Sequence, residues 1–335
     1  MTCKFDMLTL DIESLDAEGR GIARLDGKTV FVDGAITGEQ VECSVYKKKP
    51  SYELAQLHRV LREGASRVAP ECRYFGTCGG CSMQHVNSRS QVAAKQRVLE
   101  DCLARIGKVS AQTMLSPIHG APWQYRRRAR FSSRMVRKKG GVLVGFRERG
   151  SSFVVDMLSC EVLPGFVSQA LPELRKLVAD LSIRERMPQI EVAVGDTTTV
   201  LVFRVLDQPG TDDLDKLRRY ADRSGFQVWL QPEGPDTARL FWPLHAAPLE
   251  YTLPEFDLRL RFAPTEFTQV NHEVNRMLVR RAIRLLEPHP GERIADMFCG
   301  LGNFSLPIAR SGAIVSGFEG SAPLVARANE NAALN

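Results

Sequence analysis

Asp296-Met-Phe-Cys-Gly-Leu-Gly-Asn303 places two glycines between an apolar run, Arg293–Phe298, and a helical pattern, Asn303–Arg310. The run reads as a buried strand, the glycines as a tight turn where a ligand can approach the backbone, and the rest as a helix. Ala313–Phe318 reads as a second strand, and Ser321–Leu334 as a second helix. Strand, glycine turn, helix, strand is the opening of a doubly wound α/β domain. Glu319 follows the second strand, nineteen residues after Gly300, where an acid can accept hydrogen bonds from both hydroxyls of a ribose. Phe304 and Ser305 stand where a dinucleotide fingerprint has its third glycine. That disfavours NAD and leaves an adenosine ligand without a pyrophosphate.

Upstream of this turn, Val274–Leu286 reads as a helix, and Pro288, Pro290 and Gly291 form a linker. The region before it alternates between the two periods and reads as α+β. Paired strands are expected within Ala121–Asp156. A hairpin is expected around Gly195-Asp196, helices over Leu171–Leu181 and Asp212–Ser224, and strands at Val228–Leu230 and Leu258–Phe262. The first sixty residues read as all-β, with turn signals at Glu18-Gly19, Asp26-Gly27 and Asp33-Gly34, and suggest a small barrel. Lys47, Lys48 and Lys49 form a basic loop beside it. A helix from Ser88, with Ser88 and Gln91 as a capping box, carries an apolar stripe of Val92, Leu99, Leu103 and Ile106.

The chain has 335 residues, 44% apolar and 25% charged, which suits a soluble protein of two or three domains. No apolar run is long enough to span a membrane, and Met1–Leu10, with Lys4 and Asp6, lacks the apolar core of a signal peptide. The expected location is the cytoplasm. The net charge of +6 is unevenly spread. Between Gly120 and Gly150 ten arginines and lysines face Glu148 alone, a local charge of +9, densest at Arg126, Arg127, Arg128 and Arg130. Such a focus fits a polyanion partner, or a charged strand edge that blocks aggregation.

In a reducing cytosol the eight cysteines are not expected to form structural disulfides. Cys72, Cys78 and Cys81, spaced C-x5-C-x2-C around Gly79-Gly80, can ligate one metal centre, with Cys160 as the candidate fourth ligand. Three local cysteines with one distant partner are more like an iron–sulfur arrangement than zinc, which usually shows two close pairs. Cys3, Cys43, Cys102 and Cys299 stand alone and read as ordinary free cysteines.

At this point the residues resemble a known family. Asp296-Met-Phe-Cys-Gly-Leu-Gly-Asn-Phe-Ser-Leu306 is similar to the first motif of the uracil-5 RNA methyltransferases. Phe267-Thr-Gln-Val-Asn271 is similar to the segment before it, and Tyr125-Arg-Arg-Arg-Ala-Arg130 to the start of their central RNA-binding domain. Cys72, Cys78, Cys81 and Cys160 match the ligands of a [4Fe-4S] cluster in that family, and the N-terminus resembles a TRAM domain.

The resemblance implies a multidomain α/β protein. A TRAM-like, OB-like β-barrel would cover 1–63 and an iron–sulfur loop region 64–110, completed by Cys160. A central α+β RNA-binding domain would cover 111–265, and the first part of a Rossmann-like methyltransferase domain 266–335. It implies S-adenosylmethionine bound by Gln269, Phe298, Gly300, Gly302, Asn303 and Glu319, and RNA contacts at Arg126, Arg127, Arg128 and Arg130. Having both TRAM domain and cluster is most similar to the branch that forms 5-methyluridine in bacterial 23S rRNA, at uridine 1939. The expected protein is a monomer.

In that family a cysteine within Ser-Cys-Asn-Pro adds to carbon 6 of uracil, so that carbon 5 becomes nucleophilic enough to take the methyl group. A base then removes the carbon 5 proton, after the uracil has left its stack. The Ser-Cys-Asn-Pro segment, an Asp-Pro motif and a C-terminal glutamate all lie outside these 335 residues, so the reading is of a truncated chain with no catalytic residue assigned. Two rivals follow: a non-catalytic RNA-binding iron–sulfur fragment, and a methyltransferase of small molecules or proteins, which the basic stretch and the barrel disfavour.

Overall fold

The computed structural model describes residues 7–335 and divides into two compact units, Met1–His119 and Gly120–Asn335. Cys3 and the start of the N-terminal segment lie outside the described residues.

In the first unit β1 (Met7–Asp11), β2 (Ser14–Leu15), β3 (Gly21–Leu25), β4 (Lys28–Asp33), β5 (Gln40–Lys48) and β6 (Tyr52–Arg62) form one sheet in the order β1-β5-β6-β4-β3-β2. Alternate residues, among them Leu10, Ala23, Val30, Val32, Val41, Cys43 and Ala55, turn inward to a common core. Among the described residues no ladder joins β1 to β2, so strand pairing alone does not close the sheet into the expected barrel. Glu39 is wholly buried at its base. It accepts from the Ile36 amide at 2.9 Å and pairs with Arg67, whose guanidinium also donates to the Gly34 carbonyl at 2.8 Å. This buried pair ties the segment after β6 to the sheet. Next comes α1 (Ser88–Asp101). The cap sits one residue earlier than expected: Asn87 Oδ1 accepts from the Ser90 amide at 2.9 Å, while the Gln91 side chain donates to the carbonyls of Met83 and Val86. No residue of α1 is buried, and Leu99 is exposed.

The second unit is built on β7 (Arg128–Val136), β8 (Gly141–Gly145), α2 (Gly165–Asp180), β9 (Gln189–Val194), β10 (Thr199–Arg204), α3 (Thr211–Ser224), β11 (Gln227–Gln231) and β12 (Arg239–Trp242). Its sheet runs β12-β11-β10-β9-β7-β8, with β10 and β11 parallel across α3 and the other neighbours antiparallel. Helix α2 starts six residues before the expected Leu171 and carries Pro172 inside it. Of the paired strands expected within Ala121–Asp156, the last part forms only a bridge between Val154 and Arg147.

A hairpin of β13 (Glu250–Leu253) and β14 (Leu258–Arg261) leads into α4 (His272–Leu286), capped by Asn271, whose Oδ1 accepts from the Val274 amide at 3.0 Å. Then β15 (Arg293–Met297) and β16 (Ile314–Phe318) pair in parallel, with α5 (Ser305–Ala309) between them and α6 (Ala322–Leu334) after them. One core joins these parts: Ala193, Val200 and Val202 of the large sheet pack with Tyr251, Leu253, Leu260, Phe262, Val279 and Leu301. Leu301 sits between the two glycines of the turn, so the turn is anchored in the core. No helix among the described residues is long and apolar enough to cross a membrane.

Candidate functional site

The turn lies at the carboxyl ends of two parallel strands, where ligands of open α/β sheets bind. The Cys299 amide donates to the Phe318 carbonyl at 2.9 Å, which prolongs the pairing by one step. The chain then turns through positive φ at Phe298 (66°), Gly300 (55°) and Gly302 (99°). A side chain at Gly302 would be strained and would press on Leu306 Cγ at 3.1 Å. A side chain at Gly300 would meet nothing within 4 Å, so this glycine leaves open space beside the backbone. Phe298, a non-glycine residue at positive φ, is 87% exposed.

Glu319 bridges this bend. One carboxylate oxygen accepts from the Gly300 amide at 3.1 Å and the other from the Ser321 amide at 2.9 Å. Each oxygen keeps a lone-pair direction for a hydroxyl. Ser305 donates to Asp296 at 2.6 Å and closes the inner side of the turn. These features fit an adenosine-type cofactor: a bend open at Gly300, an exposed aromatic face, and an anchored carboxylate. Cys299 does not fit a nucleophile. It is buried, and burial, followed by the nearby Asp296 and Glu319 carboxylates, pushes its thiol up.

Asn303 is placed differently from a free cofactor contact. Its Oδ1 accepts from the Tyr251 hydroxyl at 2.8 Å and from Asn275 Nδ2 at 2.9 Å, and its own Nδ2 donates back to Asn275 Oδ1 at 3.0 Å. The reciprocal amide pair locks α4 to the turn. Asn331, fully buried, does the same for α6: it exchanges bonds with the Arg261 backbone and donates to the Leu301 carbonyl at 3.1 Å. Neither Asn275 nor Asn331 stood out in the sequence, because a buried asparagine is recognised only by its partners.

Gln269 is exposed and lines a narrow cavity of about 20 Å³ with Arg127, Tyr251, His272 and Asn275. The segment containing it is strapped to the arginine stretch. The Arg127 amide donates to the Val270 carbonyl at 2.8 Å, Arg126 bridges to Asn271, and the Arg128 guanidinium donates to the Glu266 carbonyl. Two signals about 140 residues apart in sequence thus meet in space.

The four arginines do not share one role. Arg127 pairs with Asp196 at 2.8 Å and Arg130 with Glu191 at 3.0 Å. Arg128 lies 3.7 Å from Glu191, a carboxylate that is itself buried. Burial pulls the Arg128 guanidinium below its ordinary value, against the opposing pull of Glu191. Arg126 alone of the four has no side-chain partner among the described residues.

In the first unit Cys72, Cys78 and Cys81 occupy a loop of consecutive turns. The Cys72 amide donates to Gln84 at 3.2 Å, and the Gly80 amide to Cys78 Sγ at 3.4 Å. Burial pushes the Cys78 thiol up, and the proximity of Cys81 and Cys72 adds to this. Among the described residues no set of three or more His, Cys, Asp or Glu is gathered into metal-holding geometry. Cys160 belongs to the second unit, where it is buried and its amide donates to Ser168 Oγ at 2.8 Å.

Comparison with known proteins agrees with this layout. The TRAM domain model matches residues 2–57, and the tRNA (uracil-5-)-methyltransferase model matches residues 87–335. The 23S rRNA (uracil(1939)-C(5))-methyltransferase RlmD of Aromatoleum aromaticum is 59% identical over 324 residues, which are 97% of this chain and 75% of that one. Its counterpart in Chromobacterium violaceum is 56% identical over 329 residues, 97% of this chain and 64% of that one. The crystal structure of Pyrococcus abyssi tRNA (uracil-54, C5)-methyltransferase with S-adenosyl-L-homocysteine shares the fold, at a TM-score of 0.72 and 19% identity over 97% of this chain and 76% of that one. With one family model spanning residues 87–335 and relatives alike at more than half of the aligned positions, the chain belongs to the tRNA (uracil-5-)-methyltransferase family.

Proposed function

We propose that this protein methylates carbon 5 of a uracil in 23S rRNA, with uridine 1939 as the target and S-adenosylmethionine as the methyl donor. The observation that carries the reading is the Gly300–Gly302 bend with Glu319 fixed across it at the ends of β15 and β16. The relatives named for the 23S rRNA reaction supply the substrate class. The donor supplies an electrophilic methyl group on a sulfonium. Glu319 accepts the ribose hydroxyls, Phe298 offers its exposed ring to the adenosine, and the open backbone at Gly300 and Gly302 lets the ligand approach. Gln269 reaches the ligand from the strap before α4. Asn303 is a positioning residue that holds the bend against α4, and its spare N–H is what it has left for the ligand.

Arg126 and the RNA-binding sheet of the first unit grip the nucleic acid through phosphates and splayed bases. By the family resemblance, Cys72, Cys78 and Cys81 would supply three thiolates of a [4Fe-4S] cluster. The N–H···S bond from Gly80 is of the kind that tunes such clusters. The protein works as a monomer in the cytoplasm, where ribosomes are assembled.

The deciding experiment is transfer of labelled methyl from the donor to 23S rRNA lacking this modification, followed by mapping of the labelled uridine. Label at carbon 5 of uridine 1939 is the expected result. RNA binding with no transfer favours the non-catalytic, metal-stabilised binder instead.

A further inference from the structure

We propose that a cleft at the far end of β7, lined by Arg134, Arg137 and Arg147, holds the phosphodiester backbone of an unpaired nucleotide of the RNA substrate. This rests on the RNA-methyltransferase reading and adds to it a site away from the cofactor turn. The cleft arises from the sheet's topology. β7 pairs with β9 only over Arg128–Ser132, and with β8 over Ser132–Val136. Beyond Ser132, β9 is missing from its side, because that strand begins at Gln189. The Ser133 amide still reaches the Pro188 carbonyl at 2.9 Å. Past this point a cleft of about 560 Å³ opens, with Glu185 and Pro188 among its lining.

The cleft's charge is not neutralised from within. The Arg134 side chain has no hydrogen-bond or ion-pair partner among the described residues, although its backbone lies in the β7–β8 ladder. Arg147 Nε meets only the Ser132 hydroxyl, at 3.5 Å, and Arg137 lies 3.9 Å from Glu185 with both side chains open to solvent. The arginines at the start of the same strand behave oppositely, since Arg127, Arg128 and Arg130 all face carboxylates. Three arginines lining one concave surface against one carboxylate favour an anion, and phosphate matches their forked donors. Ser133 also lines the cleft. It is only 7% exposed, and its hydroxyl has no hydrogen-bond partner. The volume lies within the range of small-ligand sites, about 300–1,000 Å³, and so suits a nucleotide rather than a duplex. Met135, half-buried, gives the cleft an apolar surface for the base.

The test is binding of a 23S rRNA fragment to the full chain, read by fluorescence anisotropy over a range of salt concentrations. Arg134 and Arg147 are both exposed, so replacing them leaves the core intact. The double variant R134A/R147A is expected to bind at least tenfold more weakly at low salt. The slope of log affinity against log salt is expected to flatten by about 1.4–1.8, two phosphate contacts' worth. R134K/R147K, which keeps the charge, is expected to keep the slope, and the affinity of both variants for S-adenosylmethionine is unchanged. Wild-type affinity and slope in R134A/R147A, at an unchanged melting temperature, overturn the cleft proposal and leave the methyltransferase reading intact. Failure of the unaltered protein to bind rRNA overturns that reading and the cleft proposal with it.

Discussion

The Glu319 carboxylate holds the Gly300 amide on one oxygen and the Ser321 amide on the other. A glutamine there keeps one acceptor, turns an N–H₂ toward the second amide and removes the charge. Bonds to charged groups contribute about 1.5–3 kcal/mol each. Glu319→Gln is therefore expected to weaken S-adenosylmethionine binding by about ten- to a hundredfold. Isothermal titration checks this, and unchanged affinity removes Glu319 from the cofactor site. Asn303 predicts a different signature. Asn303→Ala strands Asn275, 4% exposed, and the hydroxyl of Tyr251, a residue 7% exposed. The expected cost is about 1–3 kcal/mol of folding stability, measured by denaturant titration. At this scale the sequence was legible where spacing alone fixes geometry. Gly300, Gly302 and Glu319 follow from strand, turn and strand in a set order. The engagement of Asn303 was not legible, because its partner lies 28 residues upstream on a helix whose face is otherwise unremarkable.

At the scale of elements, the turn between β9 and β10, the strand β13 and the start of α4 meet at one carboxylate. Asp196 accepts from the Thr252 amide at 2.8 Å and hydroxyl at 2.7 Å, pairs with Arg127, and lies 3.5 Å from His272 Nδ1. Burial pushes Asp196 up, but the Thr252 bonds, His272 and Arg127 together hold it below the usual carboxylate value of 3.8. Burial, helped by Arg127 and Arg276, pulls His272 below 6.5, against the Thr252 carbonyl bond and Asp196. Both groups bind protons more readily in the unfolded chain. Their contribution to stability is therefore complete above the unfolded values and is lost as pH falls through the folded ones. Urea midpoints are expected to hold steady above about pH 6.5, to decline below it as His272 takes up its proton, and to decline again in the Asp196 range. His272→Gln is expected to lack the first decline; the same decline in that variant places its origin elsewhere. The β9–β10 hairpin was readable from alternation around Gly195-Asp196. β12 and β13 were not, since each has four residues and too little pattern to separate strand from loop. The N-cap of α1 was misread by one residue because Asn87 and Ser88 are both good caps, and only the bond to Ser90 distinguishes them.

At the scale of the whole molecule, the net charge of +6 conceals how the basic stretch is used. Counting residues gives a uniform arginine belt along 126–130. Folding divides it, because Glu191 and Asp196, more than sixty residues away in sequence, turn three of the four arginines into internal ties. Sequence cannot show this, since the neutralising carboxylates reach β7 through strand pairing. The consequence is measurable as a split between salt dependence and stability. An arginine that meets a phosphate contributes about 0.7–0.9 to the slope of log affinity against log salt, whereas one tied to a carboxylate contributes to folding. Arg126→Ala is expected to flatten the slope for rRNA by about that amount and to leave the melting temperature unchanged. Arg128→Ala leaves the buried Glu191 with less compensation and is expected to cost about 3 kcal/mol of stability. Below its lowered melting temperature it should show the slope of the unaltered protein. Anisotropy titrations beside thermal melts separate the two effects. If Arg128→Ala flattens the slope as much as Arg126→Ala does, the Glu191 tie opens on RNA binding and the whole belt faces the nucleic acid.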